Sequence, residues 1–458
     1  MTGDPKSIPF GASPDLLPPR RLPWLYFGAA HLFLALAVAV VAVDPRSVAG
    51  FYYHPRMLAV VHLVTLGWIS LSILGALYIV SPLALRAPLP AGRGDTWAWA
   101  SSVVGVSGIV SHFWIDELSG MAYSALLVIA GFVWVGARVV RSLWAAPVQT
   151  AVKAHVVLAF ANVTLAALFG LTAGIDKLGS LDILPGDSLR HALAHAHLAG
   201  IGWATMMAVG IGYRLFPMVL PAAMPTGAPI VASAVLLEAG ALGLFVGLAS
   251  GVGALVTASA GATLAGLGVF MSQVIWMQRH SRPAPPARPV PEFGSLHALL
   301  AVVYLGLSAG CGLVLSIASP SVTMLRLATV YGVFALLGFL GQLIVGMETR
   351  LLPLHAWYWA FADSGWRGPV PSPHQMPSRG AQRGAFLGWL VGVPGLAGGF
   401  YAESIPLIAA SATALLVGVM LSAANGFVVA RHAFRRTPAV IPVQSGADAP
   451  SASPSVDS

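Results

Sequence analysis

The sequence predicts an all-α polytopic membrane protein, with about 12 transmembrane helices built as three pseudo-repeats of four. Three observations predict it. Apolar residues make up 57% of the chain and charged residues 9%, and the mean hydropathy is +0.81, which excludes a soluble globule. Twelve mostly apolar runs of about 18–25 residues are each long enough to cross roughly 30 Å of hydrocarbon as a helix. One sequence template also recurs three times, the mark of a tandem array of one structural unit.

Taken in order, the first run is 24–43. It follows a polar, Pro-rich stretch of 23 residues holding Arg20 and Arg21, which reads as a tail, with no cleavable signal peptide. Runs 57–81, 96–114 and 119–140 complete a first repeat of about 24–141. Runs 153–174, 192–216, 228–249 and 253–277 form a second, about 151–277. Runs 297–318, 327–352, 384–402 and 405–430 form a third, about 297–430. These make one transmembrane domain, 24–432. The stretch 433–458 is rich in Ser, Ala, Pro and Asp, too polar to pack, and is expected to be a disordered tail.

The template lies on the second helix of each repeat. It runs from His62 through Gly67-Trp68, Gly75 and Tyr78 to Pro82, and again from His197 through Gly202-Trp203, Gly210 and Tyr213 to Pro217. The third copy keeps Gly338-Phe339, Gly346 and Pro353, but has Val333 in place of the histidine and Thr349 in place of the tyrosine. His62, His197 and Val333 are 135 and 136 residues apart. Template glycines leave a smooth strip where a neighbouring helix or a flat ligand approaches closely.

Basic residues set the expected orientation. With the N-terminus inside, the inner side holds 19 of the 24 Lys and Arg, and only Arg46, Arg56, Lys177, Arg190 and Arg326 fall outside. This positive-inside asymmetry predicts a multi-pass protein of the inner (plasma) membrane with both termini cytoplasmic. It also accounts for the net charge of +8 without a nucleic-acid partner, because the cations are spread over several short loops. The lone cysteine, Cys311, excludes an intrachain disulfide framework.

On that topology six of the 13 histidines share the outer third of the membrane: His54, His62, His112, His191, His195 and His197. Ionisable groups inside apolar helices are costly and mark candidate sites. His191 and His195 share a helix face, a spacing that suits one metal ion, and His197 is a further candidate metal ligand. His195 and His197 point roughly 200° from each other and so serve different inter-helix spaces. Neutral imidazole is also an axial ligand for haem iron. Against each assignment stands a plain one, in which the histidine hydrogen-bonds a backbone carbonyl and holds two helices together. Glu238, mid-span in the seventh run, reads as a proton relay or cation site, or as a protonated carboxyl bonded to a neighbour such as Gln273. Glu348 and Arg350 read as a structural ion pair or an interface anchor. Asp116, Glu117, Asp176, Asp182 and Asp187 lie in outer loops, where they are solvated or draw a basic soluble redox partner.

Twelve helices in three repeats of four, with His62…Gly67-Trp68 and His195-Ala-His197…Gly202-Trp203 on the second and sixth, resemble subunit I of the haem–copper oxidases and nitric oxide reductases. The similarity is to divergent members, the cbb3-like branch and the NnrS-type nitric-oxide-response proteins. It covers about 20–432, and Gly341-Gln342 through Arg350 adds to the NnrS-like character. The resemblance implies haem b and copper as cofactors. Carried over residue by residue, it makes His62 a low-spin haem ligand and His197 a copper ligand. The departures are as informative. Leu327–Leu352 holds no histidine, 218–279 holds none, and Ile201 stands where a tyrosine would follow His197 by four. The usual oxygen-reducing binuclear centre is therefore not encoded.

The expectation is a haem-binding membrane protein with imidazoles drawn from His62, His112, His195 and His197, working in electron transfer or binding a small gas such as nitric oxide or oxygen. A copper- or proton-coupled transporter using Glu238, and a cofactor-free scaffold on the oxidase fold, stand as alternatives.

Overall fold

The computed structural model describes residues 16–178, 183–219, 222–282, 289–361 and 372–434. Asp182 and nearly all of the tail expected to be disordered lie outside them. Twelve helices are long and apolar enough to cross a membrane: α1 Leu22–Val43, α2 Pro55–Leu83, α3 Arg93–Ile115, α4 Met121–Ala145, α5 Thr150–Asp176, α6 Ser188–Met218, α7 Ala228–Ser250, α8 Gly253–Arg279, α9 Phe293–Ile317, α10 Val322–Phe361, α11 Arg379–Tyr401 and α12 Ile405–Phe434. Among the described residues there is no strand. The protein is all-α and polytopic, and α2, α6 and α10 are the three template helices.

Each template helix opens on a side-chain cap. His54 accepts from the Met57 N–H, Asp187 from the Leu189 N–H and Ser321 from the Met324 N–H, which satisfies a donor that the first helical turn leaves free. Each then changes its winding at the same place. A π-helical segment begins on the residue after His62, His197 and Val333, and covers Leu63–Ser70, Leu198–Thr205 and Phe334–Gly341. π-Helix is rare, and where it occurs it is frequently at a functional site. Its occurrence at one template position in all three repeats makes it a property of the unit.

The π segments are the points of closest approach. A Cβ on Gly67 would lie 2.7 Å from Phe33 of α1, one on Gly202 3.0 Å from Asn162 of α5, and one on Gly338 2.5 Å from Tyr304 of α9. Each second helix is thus seated on the first helix of its own repeat, where a side chain has no room. The segments also meet one another: the Trp203 indole donates to Ser70 Oγ at 3.0 Å, and Trp68 lies 5.5 Å from Trp389 with both against Gly341.

Several boundaries differ from expectation by a few residues, and the end of α10 differs most: it continues past Pro353 to Phe361, although proline normally ends a helix by removing a donor and crowding the preceding turn. Tertiary contacts with the segment before α1 hold this last stretch. His355 Nε2 donates to Pro19 O at 3.0 Å and Trp359 Nε1 to Pro18 O at 3.1 Å. Arg20 then lies over the rings of Trp359 and Phe434.

Candidate functional site

Each template helix carries a pair of positions two residues apart just before its π segment: Val60 and His62, His195 and His197, Tyr331 and Val333. Residues so spaced on a helix face different neighbours. His62 of the first repeat meets His195 of the second, with ring centroids 6.4 Å apart and planes 24° apart. His197 of the second meets Tyr331 of the third at 5.9 Å and 15°. One relation therefore recurs around the bundle, each time joining the later position of one repeat to the earlier position of the next.

Backbone carbonyls set how each ring presents itself. His62 Nδ1 donates to Leu58 O at 2.7 Å, His195 Nδ1 to Ala166 O at 2.9 Å and His197 Nδ1 to Leu193 O at 2.8 Å. A carbonyl only accepts, so in each neutral ring Nδ1 carries the proton and Nε2 the lone pair. The carbonyl bond of the plain assignment is thus present at all three histidines. It is also the bond that a metal-ligating histidine usually makes through its other ring nitrogen. What separates them is Nε2. That of His197 is approached by the Tyr331 hydroxyl at 3.4 Å, a long contact, while those of His62 and His195 have no hydrogen-bond partner among the described residues. Phe113 lies along the His62 ring, centroids 4.9 Å apart, and Gly170 of α5 lies flush against His195.

The remaining expected ligands are elsewhere. His112 is turned to Glu117 O through Nδ1 at 2.7 Å. His191 is bound through Nε2 to Pro185 O at 3.2 Å and meets Phe169 edge-on. His54 caps α2. Among the described residues no group of three or more His, Cys, Asp or Glu is placed to hold a metal ion, so His191, His195 and His197 are not gathered round one point. Two imidazoles do meet. That donor set suits haem iron, whose macrocycle fills four positions and asks only axial ligands of the protein; a structural zinc site requires four protein ligands.

The acidic residues are arranged differently from their expected pairings. Glu238 takes its hydrogen bond from Asn162 Nδ2 at 2.7 Å, not from Gln273, and the same amide reaches Gly202 O at 3.1 Å, tying the carboxyl to the π segment of α6. Glu348 does not pair with Arg350. Arg350 binds Glu292, and Glu348 lies 3.3 Å from His31 Nε2, because residues two apart on a helix leave it in different directions. In the loops, Asp176 accepts from the Ile183 and Leu184 amides and Asp187 caps α6. Glu117 binds Ser119 through both its N–H and its hydroxyl, which hold the carboxyl below its usual range.

No protein-family model matches the chain, and no curated protein matches it.

Sequence reasoning passed over Asp95. It is fully buried, bound to Arg138 and to the Tyr78 hydroxyl at 2.8 Å, and accepts from the Gly92 N–H at 2.6 Å. Its position three residues after Gly92, where a carboxylate reaches back over a helix start, was the available signal. The second template tyrosine, Tyr213, makes the corresponding bond to Ser233 of α7 at 2.9 Å.

Proposed function

We propose that this polytopic membrane protein binds haem b between His62 and His195 and passes single electrons. The observation that carries the reading is the 6.4 Å separation of these two rings, each with its Nδ1 proton on a carbonyl and its Nε2 lone pair free for a metal. An imidazole nitrogen binds a metal at roughly 2 Å, and the ring centre lies about 1 Å behind the nitrogen, so two imidazoles on one metal suit a centroid separation of about 6 Å. Haem supplies one-electron redox chemistry when bound. His62 and His195 would together hold the haem, which favours electron transfer over binding of a gas. The carbonyls of Leu58 and Ala166 orient the two rings and strengthen them as ligands.

The test is the visible spectrum of the detergent-purified protein, oxidised and dithionite-reduced, with haem and copper quantified per chain. A reduced α-band with one haem per chain, lost in His62→Ala and in His195→Ala, is the expected result. A colourless protein after expression with ample haem overturns the proposal.

A further inference from the structure

Beyond the π segments, the three template helices part and leave a cavity of about 100 Å³ between them. Its wall comes from α2, α6 and α10, with Phe27 of α1. It is apolar except for Ser72 and Glu348. Glu348 is 6% exposed; one carboxylate oxygen lies 3.3 Å from His31 Nε2 and the other takes a 3.5 Å contact from Ser72 Oγ. It also borders a second, smaller cavity of about 30 Å³, shared with His297, Thr349, Gln382, Ser422 and Asn425. That space has the polar lining and volume to hold water, whereas a water in the larger one would lack the two to four polar partners it needs.

A buried carboxylate is costly, and one at the edge of an apolar cavity gives that cavity a single directional acceptor. Each carboxylate oxygen has two lone pairs, so a ligand donor is accommodated beside His31 and Ser72. The volume is somewhat below the roughly 150 Å³ of an apolar cavity that takes up benzene. Met207 and Met347 in the wall are side chains that adapt their shape to an occupant. We infer that this cavity binds a small, largely apolar molecule with one hydroxyl donor, of the phenol class, whose hydroxyl bonds to Glu348. The site is separate from His62 and His195, and its test does not depend on haem.

The experiment is ¹⁹F NMR titration of the full-length protein in lipid nanodiscs with 4-fluorophenol and with 4-fluorotoluene, empty nanodiscs serving as the partition blank. Wild type is expected to bind the phenol saturably and about tenfold more tightly than the toluene, the order of one hydrogen bond. Glu348→Leu should erase the preference while keeping toluene binding. Ala208→Phe, which fills the cavity and leaves Glu348 in place, should abolish both. Absence of saturable binding in wild type, equal affinity for the two probes, or undiminished binding in a folded Ala208→Phe protein each overturns the inference.

Discussion

His197 faces Tyr331 at 5.9 Å in the way that His62 faces His195 at 6.4 Å, one repeat further round the bundle. Tyr331 stands at the template position of His195, and Val60 at the same position in the first repeat. The two inter-repeat contacts therefore differ in chemistry: one presents two imidazoles, the other an imidazole and a phenol.

Since Tyr331 approaches the Nε2 of His197, His197→Ala is expected to leave haem content per chain unchanged, while His195→Ala abolishes it. Haem quantification of both variants checks this. Loss of haem in His197→Ala alone would move the ligand to the second cleft.

Gly170→Ala would place a Cβ 2.7 Å from His195 Cε1. Alanine gains about 1 kcal/mol of helix propensity over glycine, but overpacking costs about 1–3 kcal/mol, so the clash should win and shift the His195 ring. A lower thermal midpoint and reduced haem content are expected. Gly261→Ala, with nothing within 4 Å of its added Cβ, should have neither effect.

The Asp95–Arg138 pair is buried on the carboxylate side and 28% exposed on the guanidinium side. Arg138→Met strands a fully buried carboxylate and is expected to destabilise by about 3–5 kcal/mol. Asp95→Ala leaves a cation that can turn to solvent, so the loss should be nearer the 1–3 kcal/mol of lost hydrogen bonding. Thermal midpoints in detergent should rank the two variants in that order.

Burial, with the nearby Arg56 charge, lowers the His54 pKa below 6.5. Its unprotonated Nδ1 accepts the Met57 N–H at 3.3 Å, so protonation removes the cap of α2. Because the folded pKa is the lower one, this contribution is complete above 6.5 and is lost as pH falls through the folded value. Hydrogen exchange in the first turn of α2, corrected for intrinsic rates, should accelerate on acidification in wild type and be already fast in His54→Ala.

The fold class, the twelve spans, the three repeats and the template helices were legible in the sequence, because apolarity, length and repetition are written locally along the chain. Even Tyr331 was within reach, since it lies 136 residues after His195 at the same template position. Which groups meet depended on how the helices pack. That packing paired His62 with His195 and His197 with Tyr331, gave Glu348 to His31 and not to Arg350, and carried α10 beyond Pro353. The reason is physical: a membrane helix apolar on every side carries no polar stripe to say which face turns to which neighbour. That is settled by the seating of Gly67, Gly202 and Gly338 on the first helix of each repeat, which sets the rotation of the template helices and the cleft that each ring enters.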